Sequence, residues 1–482
     1  MSRYKTLVKN SLIFVLSSFA SRILIFFMLP LYTRVLTREE FGTADLIILT
    51  ISLMSPLFTL SISESALRFT LDEDEDSKQV FMFGLKLIAG SFVVIIALLP
   101  MFLRINIIKD YVLILYLIYI AQTLNQYFNR FIRGINKIFL IGIVGIIQTI
   151  TTVISNIVLL VIFKFGISGF LLSIFLANTI ALFILFIAGG LRHYLVFNKI
   201  DKSIKRKMLR YCIPLTPNRL SWWLNNYSNK YIISGFAGIS ELGLFSAASR
   251  VPTILISFQS IFIQAWQLSA LQEYDKKDSV RFFSTIYNLY NFLMLICCSI
   301  LILFIRPVSH FLFGNEFSSA WRLVPFLLVG VVFGALTGFL NSINLAFKKT
   351  KSIFVAVLIG ACVAITLNFI FIPVYGAIAA AITTSFSFFL IWLIRLFQAM
   401  KFMRLGIFYM RDSISYAILV FQSIITTFQF NSHTFLFSAA STFMLLIINQ
   451  KTVVKASGFV CSRGKDLLRN NGSIKSLVKS IF

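Results

Sequence analysis

"LTREEFGTADL" (residues 36–46) and "AGISELGLFSA" (residues 237–247) decide the fold. They lie about 200 residues apart, the size of a six-helix half. Glu40-Phe41-Gly42 aligns with Glu241-Leu242-Gly243, and each stretch follows an apolar run, the first and the seventh of the chain. A second pair keeps the same order: "SNIVLLVIFKFGISGF" (155–170) and "LNFIFIPVYGAIAAA" (367–381). In each, an Asn (Asn156, Asn368) precedes an apolar run that ends in an aromatic-Gly turn, Phe165-Gly166 or Tyr375-Gly376. Two ordered matches at similar offset predict two six-helix halves. Both halves start on the same side of the membrane, so they form a parallel repeat about an axis along the membrane normal.

Composition sets the solvent. Of 482 residues, 58% are hydrophobic and 13% charged, against about 25% charged in a soluble chain. That is a polytopic membrane protein with no large soluble domain. Windows of about 20 apolar residues predict about fourteen spans, near 11–32, 41–62, 80–102, 111–131, 138–163, 165–190, 209–236, 241–268, 282–305, 322–346, 353–374, 375–397, 411–430 and 434–450. The expected division is an N-terminal lobe over 1–200, a second lobe over 201–404, two additional helices over 405–450 and a basic tail over 451–482. The first run reads as an uncleaved span, since no A-x-A-like site interrupts it.

The net charge of +26 lies in short loops between apolar runs, which is a topology signal and not a nucleic-acid footprint. Roughly 32 of the 44 Lys/Arg fall on one side and about 7 on the other. Both termini are therefore expected in the cytoplasm. The acidic run "DEDED" (72–76) reads as a solvated loop on that side. Cys212, Cys297, Cys298, Cys362 and Cys461 show no metal or redox spacing, and the three histidines are scattered, so no metal and no cofactor is expected.

Ionisable residues inside spans are functional candidates. Arg22 sits mid-span in "LSSFASRILIFFMLPLY" (16–32), on one face with Ser11 and Ser18. The seventh span, "YCIPLTPNRLSWWLNNYSNKYIISGF" (211–236), carries Pro214 and Pro217, so its start should be kinked. After the kink, Arg219, Trp223, Asn226 and Lys230 recur on one face. Arg250 follows in the eighth span, and Lys86 lies in the third. These five cations are the expected anion-binding set, with Trp223, Asn226, Gln122, Asn125 and Gln148 as glycan contacts, and interhelical hydrogen bonding as the rival role for the amides. Asp45, near the outer end of its span, and Glu64, at an inner edge with Arg68 one turn away, are the coupling candidates. With so few carboxylates, Arg22 is expected to face a wet cavity.

"MLPLYTRVLTREEFGTADLI" (28–47) resembles the N-terminal signature of bacterial polysaccharide-unit flippases, in which L-P-x-x-T/Y-R-x-L precedes a short loop ending E-F/Y-G. The "N…Y-G-x-x-A-A" pattern of 368–381 is similar to that family as well. These flippases belong to the multidrug/oligosaccharidyl-lipid/polysaccharide exporter superfamily. The resemblance implies two six-helix lobes around a central cavity plus two C-terminal helices, in the bacterial cytoplasmic (inner) membrane. It implies movement of an undecaprenyl-pyrophosphate-linked oligosaccharide, such as an O-antigen unit, to the outer leaflet by alternating access. Membrane lipids and other polysaccharide-assembly membrane proteins are the further partners expected, and nucleic acid is not. A cation-coupled multidrug exporter is the alternative. A membrane-embedded glycan polymerase fits less well, because the longest external loop, "RPVSHFLFGNEFSSAWR" (306–322), carries no catalytic pairing.

Overall fold

The computed structural model describes residues 23–450 other than 25, 73, 197–199, 274–277, 347–349 and 429–432. The described residues are nearly all helical and contain no strand. Most of the first expected span, with Arg22, lies outside them, as does the basic tail.

The end of the first span is α1 (Leu29–Val35). The first lobe continues with α2 (Arg38–Phe58), the short α3 (Ile62–Thr70), α4 (Ser77–Ala97), α5 (Val112–Gly134), α6 (Ile138–Asn156) and α7 (Gly166–Gly189). A connecting helix, α8 (Lys202–Cys212), leads to the second lobe: α9 (Leu215–Phe236), α10 (Ile239–Ala248), α11 (Thr253–Glu273), α12 (Ser279–Leu312), α13 (Val324–Ala346) and α14 (Thr350–Met400). α15 (Tyr409–Phe428) and α16 (Thr434–Gln450) close the described chain. Seven of the described helices are long and apolar enough to cross a bilayer, and α10 with α11, bent by 50°, forms an eighth span. The more polar α5 and α9, of 23 and 22 residues, α15 and α16, and the two limbs of α14 counted separately bring the spans among the described residues to about thirteen, and the first expected span makes about fourteen. Gln122, Asn125, Gln126 and Asn129 of α5 and Arg219, Asn226 and Lys230 of α9 line interior cavities, where lipid need not solvate them.

The paired motifs meet in space. Gly42 of α2 and Gly243 of α10 cross so closely that a Cβ on Gly42 would strike the Ile239 carbonyl, and one on Gly243 the Arg38 carbonyl. The two clashes are reciprocal, as they must be around a pseudo-two-fold axis. The aromatic-Gly turns match likewise. Gly166 (φ +53°) and Gly376 (φ +60°) adopt the left-handed region that only glycine enters without strain. A Cβ at Gly166 would stand 2.7 Å from Oε1 of Glu40, and one at Gly376 3.5 Å from Oε2 of Glu241. Glu40 also completes a capping box with Thr37 at the start of α2. The two asparagines are equivalent too: buried Asn156 accepts from Ser173 at 3.0 Å, and buried Asn368 accepts from Thr383.

Some boundaries differ from expectation. α12 runs through Pro307 to Leu312, and a 3-10 turn covers Asn315–Arg322, so the stretch expected to be the longest external loop is largely helical. The acidic run is not simply solvated: Asp76 caps α4, and Glu75 holds Lys207 of α8 at 2.7 Å. The break before α9 falls at Ile213 and Pro214, while Pro217 sits inside the first turn of α9, where its missing N–H costs nothing.

Candidate functional site

The signature segment joins the lobes at one end. The Tyr32 hydroxyl accepts from Asn156 at 3.1 Å. Thr33 donates to the Leu312 carbonyl at 2.9 Å and accepts from the Gly314 N–H at 3.1 Å. Arg38 binds Glu316 through backbone and side chain. Every one of these bonds except that of Tyr32 crosses to the second lobe.

Below this closure two cavities lie between the lobes. One, of about 640 Å³, is lined by amides of the first lobe (Gln122, Asn125, Gln126, Asn129, Asn178) and by Arg219, Trp223 and Asn226 of α9. The other, of about 560 Å³, is lined by Asp45, Lys230, Ser246 and Arg250 and by the inner faces of α13 and α14. Both are lined by Trp222, Asn226 and Tyr227, which makes them two chambers of one cleft.

Each chamber has a charge cluster that crosses between the lobes. Three residues beyond the glycine crossing, Asp45 faces its repeat equivalent Ser246, which donates to Oδ2 at 2.7 Å. Lys230 binds the same oxygen at 2.6 Å, and Arg250 approaches Oδ1 at 3.5 Å. In the other cluster Glu64 holds Arg130 of its own lobe at 3.0 Å and Arg219 of the opposite lobe. α9 supplies a cation to each cluster, eleven residues apart, or about 16 Å along a helix. Glu64 is delivered by a strained joint: Leu60 (φ 52°) and Ser61 (φ 55°) are both left-handed, at about 1–2 kcal/mol per residue. The Ser61 hydroxyl lies 3.3 Å from that of Thr216, at the start of α9.

This pairing corrects two expectations. Arg68 is exposed and not the partner of Glu64, because the turn at Leu60–Ser61 aims the carboxylate across the cleft toward α5 and α9. The interior is also not a set of free cations. Arg219, Lys230 and Arg250 each have a carboxylate, and each carboxylate serves two cations, which leaves one excess positive charge per cluster.

Of the expected glycan contacts, Gln122, Asn125, Trp223 and Asn226 line the larger chamber. Gln148 stands behind it and donates to Asn178 at 3.2 Å, next to the bond from Asn125 at 3.0 Å. Trp223 is buried, with its indole N–H on Ser52 at 2.9 Å and its ring against Tyr231. The open aromatic faces belong instead to Trp222 (39% exposed) and Tyr227 (38% exposed). Lys86 is exposed on α4 and lines neither chamber. Arg22 lies outside the described residues.

Arg130, Asn178, Trp222 and Tyr227 escaped the sequence reading. Asn178 had a signal, a lone amide in the otherwise apolar "FLLSIFLANTIALF". Trp222 had one as well, since it precedes Asn226 by one helical turn.

The chain is thus a two-lobed helical bundle with a polar cleft on its pseudo-symmetry axis. Solved structures share this fold: the lipid II flippase MurJ in an inward-closed conformation (TM-score 0.68, 19% identity, covering 95% of this chain and 100% of that one); a MATE-family multidrug resistance transporter of the MOP superfamily in an inward-facing conformation (0.65, 13%, 82% and 96%); and a MOP-superfamily transporter from Pyrococcus furiosus, described as having a binding pocket of reversed polarity (0.55, 13%, 85% and 95%). No curated protein matches the chain by sequence. The family model described as "Polysaccharide biosynthesis protein" matches residues 7–267, more than half of the chain. The chain belongs to that family.

Proposed function

We propose that this protein is a flippase for an undecaprenyl-pyrophosphate-linked oligosaccharide, an O-antigen or similar repeat unit, which it moves from the cytoplasmic to the outer leaflet of the bacterial inner membrane. The observation that carries this reading is the cleft, a chamber of amides and open aromatic faces with an ionic cluster of excess positive charge at each end. Such a cleft suits a ligand that joins a diphosphate to sugars. Arginine forks match phosphate oxygens, amides exchange hydrogen bonds with hydroxyls, and aromatic rings present an apolar face to sugar rings. The diphosphate binds at one cluster at a time, at Arg219 in one chamber or Arg250 in the other, the two that keep the greatest exposure among the cleft cations paired across the lobes. The glycan occupies the amide chamber, while the polyprenyl tail stays in lipid. Lobes over residues 1–200 and 201–404 rock about the Gly42–Gly243 crossing, and both termini face the cytoplasm. No reacting constellation is invoked, since the work is transport.

The multidrug alternative needs a carboxylate free to hold a cationic compound. Asp45 and Glu64, the carboxylates of the two clusters, are each engaged by two cations, which favours the anionic substrate. Replacing Arg219 and Arg250 singly with Ala tests the reading. Surface glycan should disappear at normal protein level, and normal glycan in both variants would refute an anion-binding cleft.

A further inference from the structure

Outside the central cleft, a third polar cavity of about 370 Å³ lies between α12 and the C-terminal pair α15–α16. It sits at the end of the bundle that carries the Arg38–Glu316 closure, since α12 ends there at Leu312 and Thr427 of α15 donates to the Arg322 carbonyl at 3.1 Å. Arg306 and His310, one helical turn apart on α12, face it. The Arg306 guanidinium packs over the Trp321 ring at 5.5 Å and has no carboxylate among the described residues. Thr426 lines the same cavity. It is 4% exposed, and its hydroxyl has no hydrogen-bond partner. A buried hydroxyl left unsatisfied in a polar cavity is costly unless something fills the place. The N-terminus of α16, beginning at Thr434, opens onto the same space and adds a positive dipole end. The rest of the wall is Ile302, Leu303, Pro307 and Phe435, with Ser438 as the one further polar residue.

We propose that this cavity binds the phosphate of a membrane lipid headgroup, separately from the transported substrate. Arg306 grips the phosphate oxygens, His310 and the Thr426 hydroxyl donate to it, and the acyl chains run down the apolar wall. The charge bias of the loops makes this end the outer one, where Arg306 and His310 run against the usual distribution. The cation–π contact of Arg306 with Trp321 fits the interfacial level at which tryptophan gathers. A lipid and not free phosphate is the favoured occupant, because a cationic head joined to an apolar wall matches an amphiphile.

The test is equilibrium binding of dioctanoyl phosphatidylglycerol to the full-length protein in a neutral detergent, with inorganic phosphate as a second probe. Arg306→Ala should weaken phosphatidylglycerol binding by about tenfold or more, the loss expected for a charge-assisted contact. Thr426→Val, which keeps the shape and removes only the hydroxyl, should weaken it several-fold with unchanged thermal unfolding. Lys109→Ala, at an exposed lysine elsewhere, should leave it unchanged. Undiminished binding in Arg306→Ala and Thr426→Val overturns the site. Inorganic phosphate binding as tightly as phosphatidylglycerol overturns the lipid assignment. Neither outcome bears on glycan transport through the central cleft.

Discussion

Each charge cluster sets one carboxylate between two cations, and the two differ in burial and in where their partners come from. The Asp45 cluster is closed: the Asp45 and Lys230 side chains are 7% and 11% exposed. Its three partners, Lys230, Ser246 and Arg250, all belong to the second lobe. The Glu64 cluster is half-open, at 20% for Glu64 and 32% for Arg130 and Arg219. There one arginine comes from each lobe. The difference has a mechanical consequence. Parting the lobes at the Asp45 end strips a buried carboxylate of every partner, whereas parting them at the Glu64 end leaves Glu64 with Arg130 and releases only Arg219. The Glu64 end therefore opens at lower cost, and the arginine it releases is the one that lines the amide chamber. In the proposed rocking of the lobes, opening this end and acquiring a free cation are the same event.

Asp45→Leu leaves Lys230 buried with no counter-charge, and should cost about 3–5 kcal/mol of stability, read as a lowered unfolding temperature in detergent. Adding Lys230→Met should recover most of that stability but not transport. Arg219→Ala should behave oppositely. A half-exposed pair contributes about 0–1 kcal/mol, so unfolding should hardly move, while glycan export should fall about tenfold or more. Glu64→Gln sharpens the point: with both arginines released, the protein should bind a polyprenyl diphosphate several-fold more tightly than wild type and turn over more slowly, in a paired binding and flipping assay. Trp222→Ala and Tyr227→Ala should weaken binding of the glycan-bearing lipid about three- to tenfold and leave binding of the bare polyprenyl diphosphate alone. Lys86→Ala, at an exposed position outside both chambers, should change neither binding nor export.

Much of this was legible in the chain. The Glu-x-Gly and aromatic-Gly pairs pointed to a repeat because backbone constraints leave a local mark: a close helix crossing and a left-handed turn both demand glycine at fixed positions. The stripe from Arg219 to Lys230 was legible because helical spacing places it on one face. What distance along the chain cannot show is who answers a charge. Arg68 was the local partner for Glu64, yet the real partners lie 66 and 155 residues away, brought close by a strained two-residue turn that no propensity rule anticipates. Burial was equally hidden. Of the adjacent tryptophans, Trp223 packs inward and Trp222 opens to the cleft, a choice set by the Ser52 and Tyr231 contacts of the folded protein.

The most direct test reconstitutes the protein in liposomes that carry an undecaprenyl-pyrophosphate-linked oligosaccharide with a fluorescent glycan, and follows appearance of the label in the opposite leaflet. The expected result is protein-dependent movement of the glycan that is lost in Arg219→Ala, with no extrusion of a cationic dye such as ethidium. Dye extrusion without glycan movement, or glycan movement undiminished in Arg219→Ala, would contradict it.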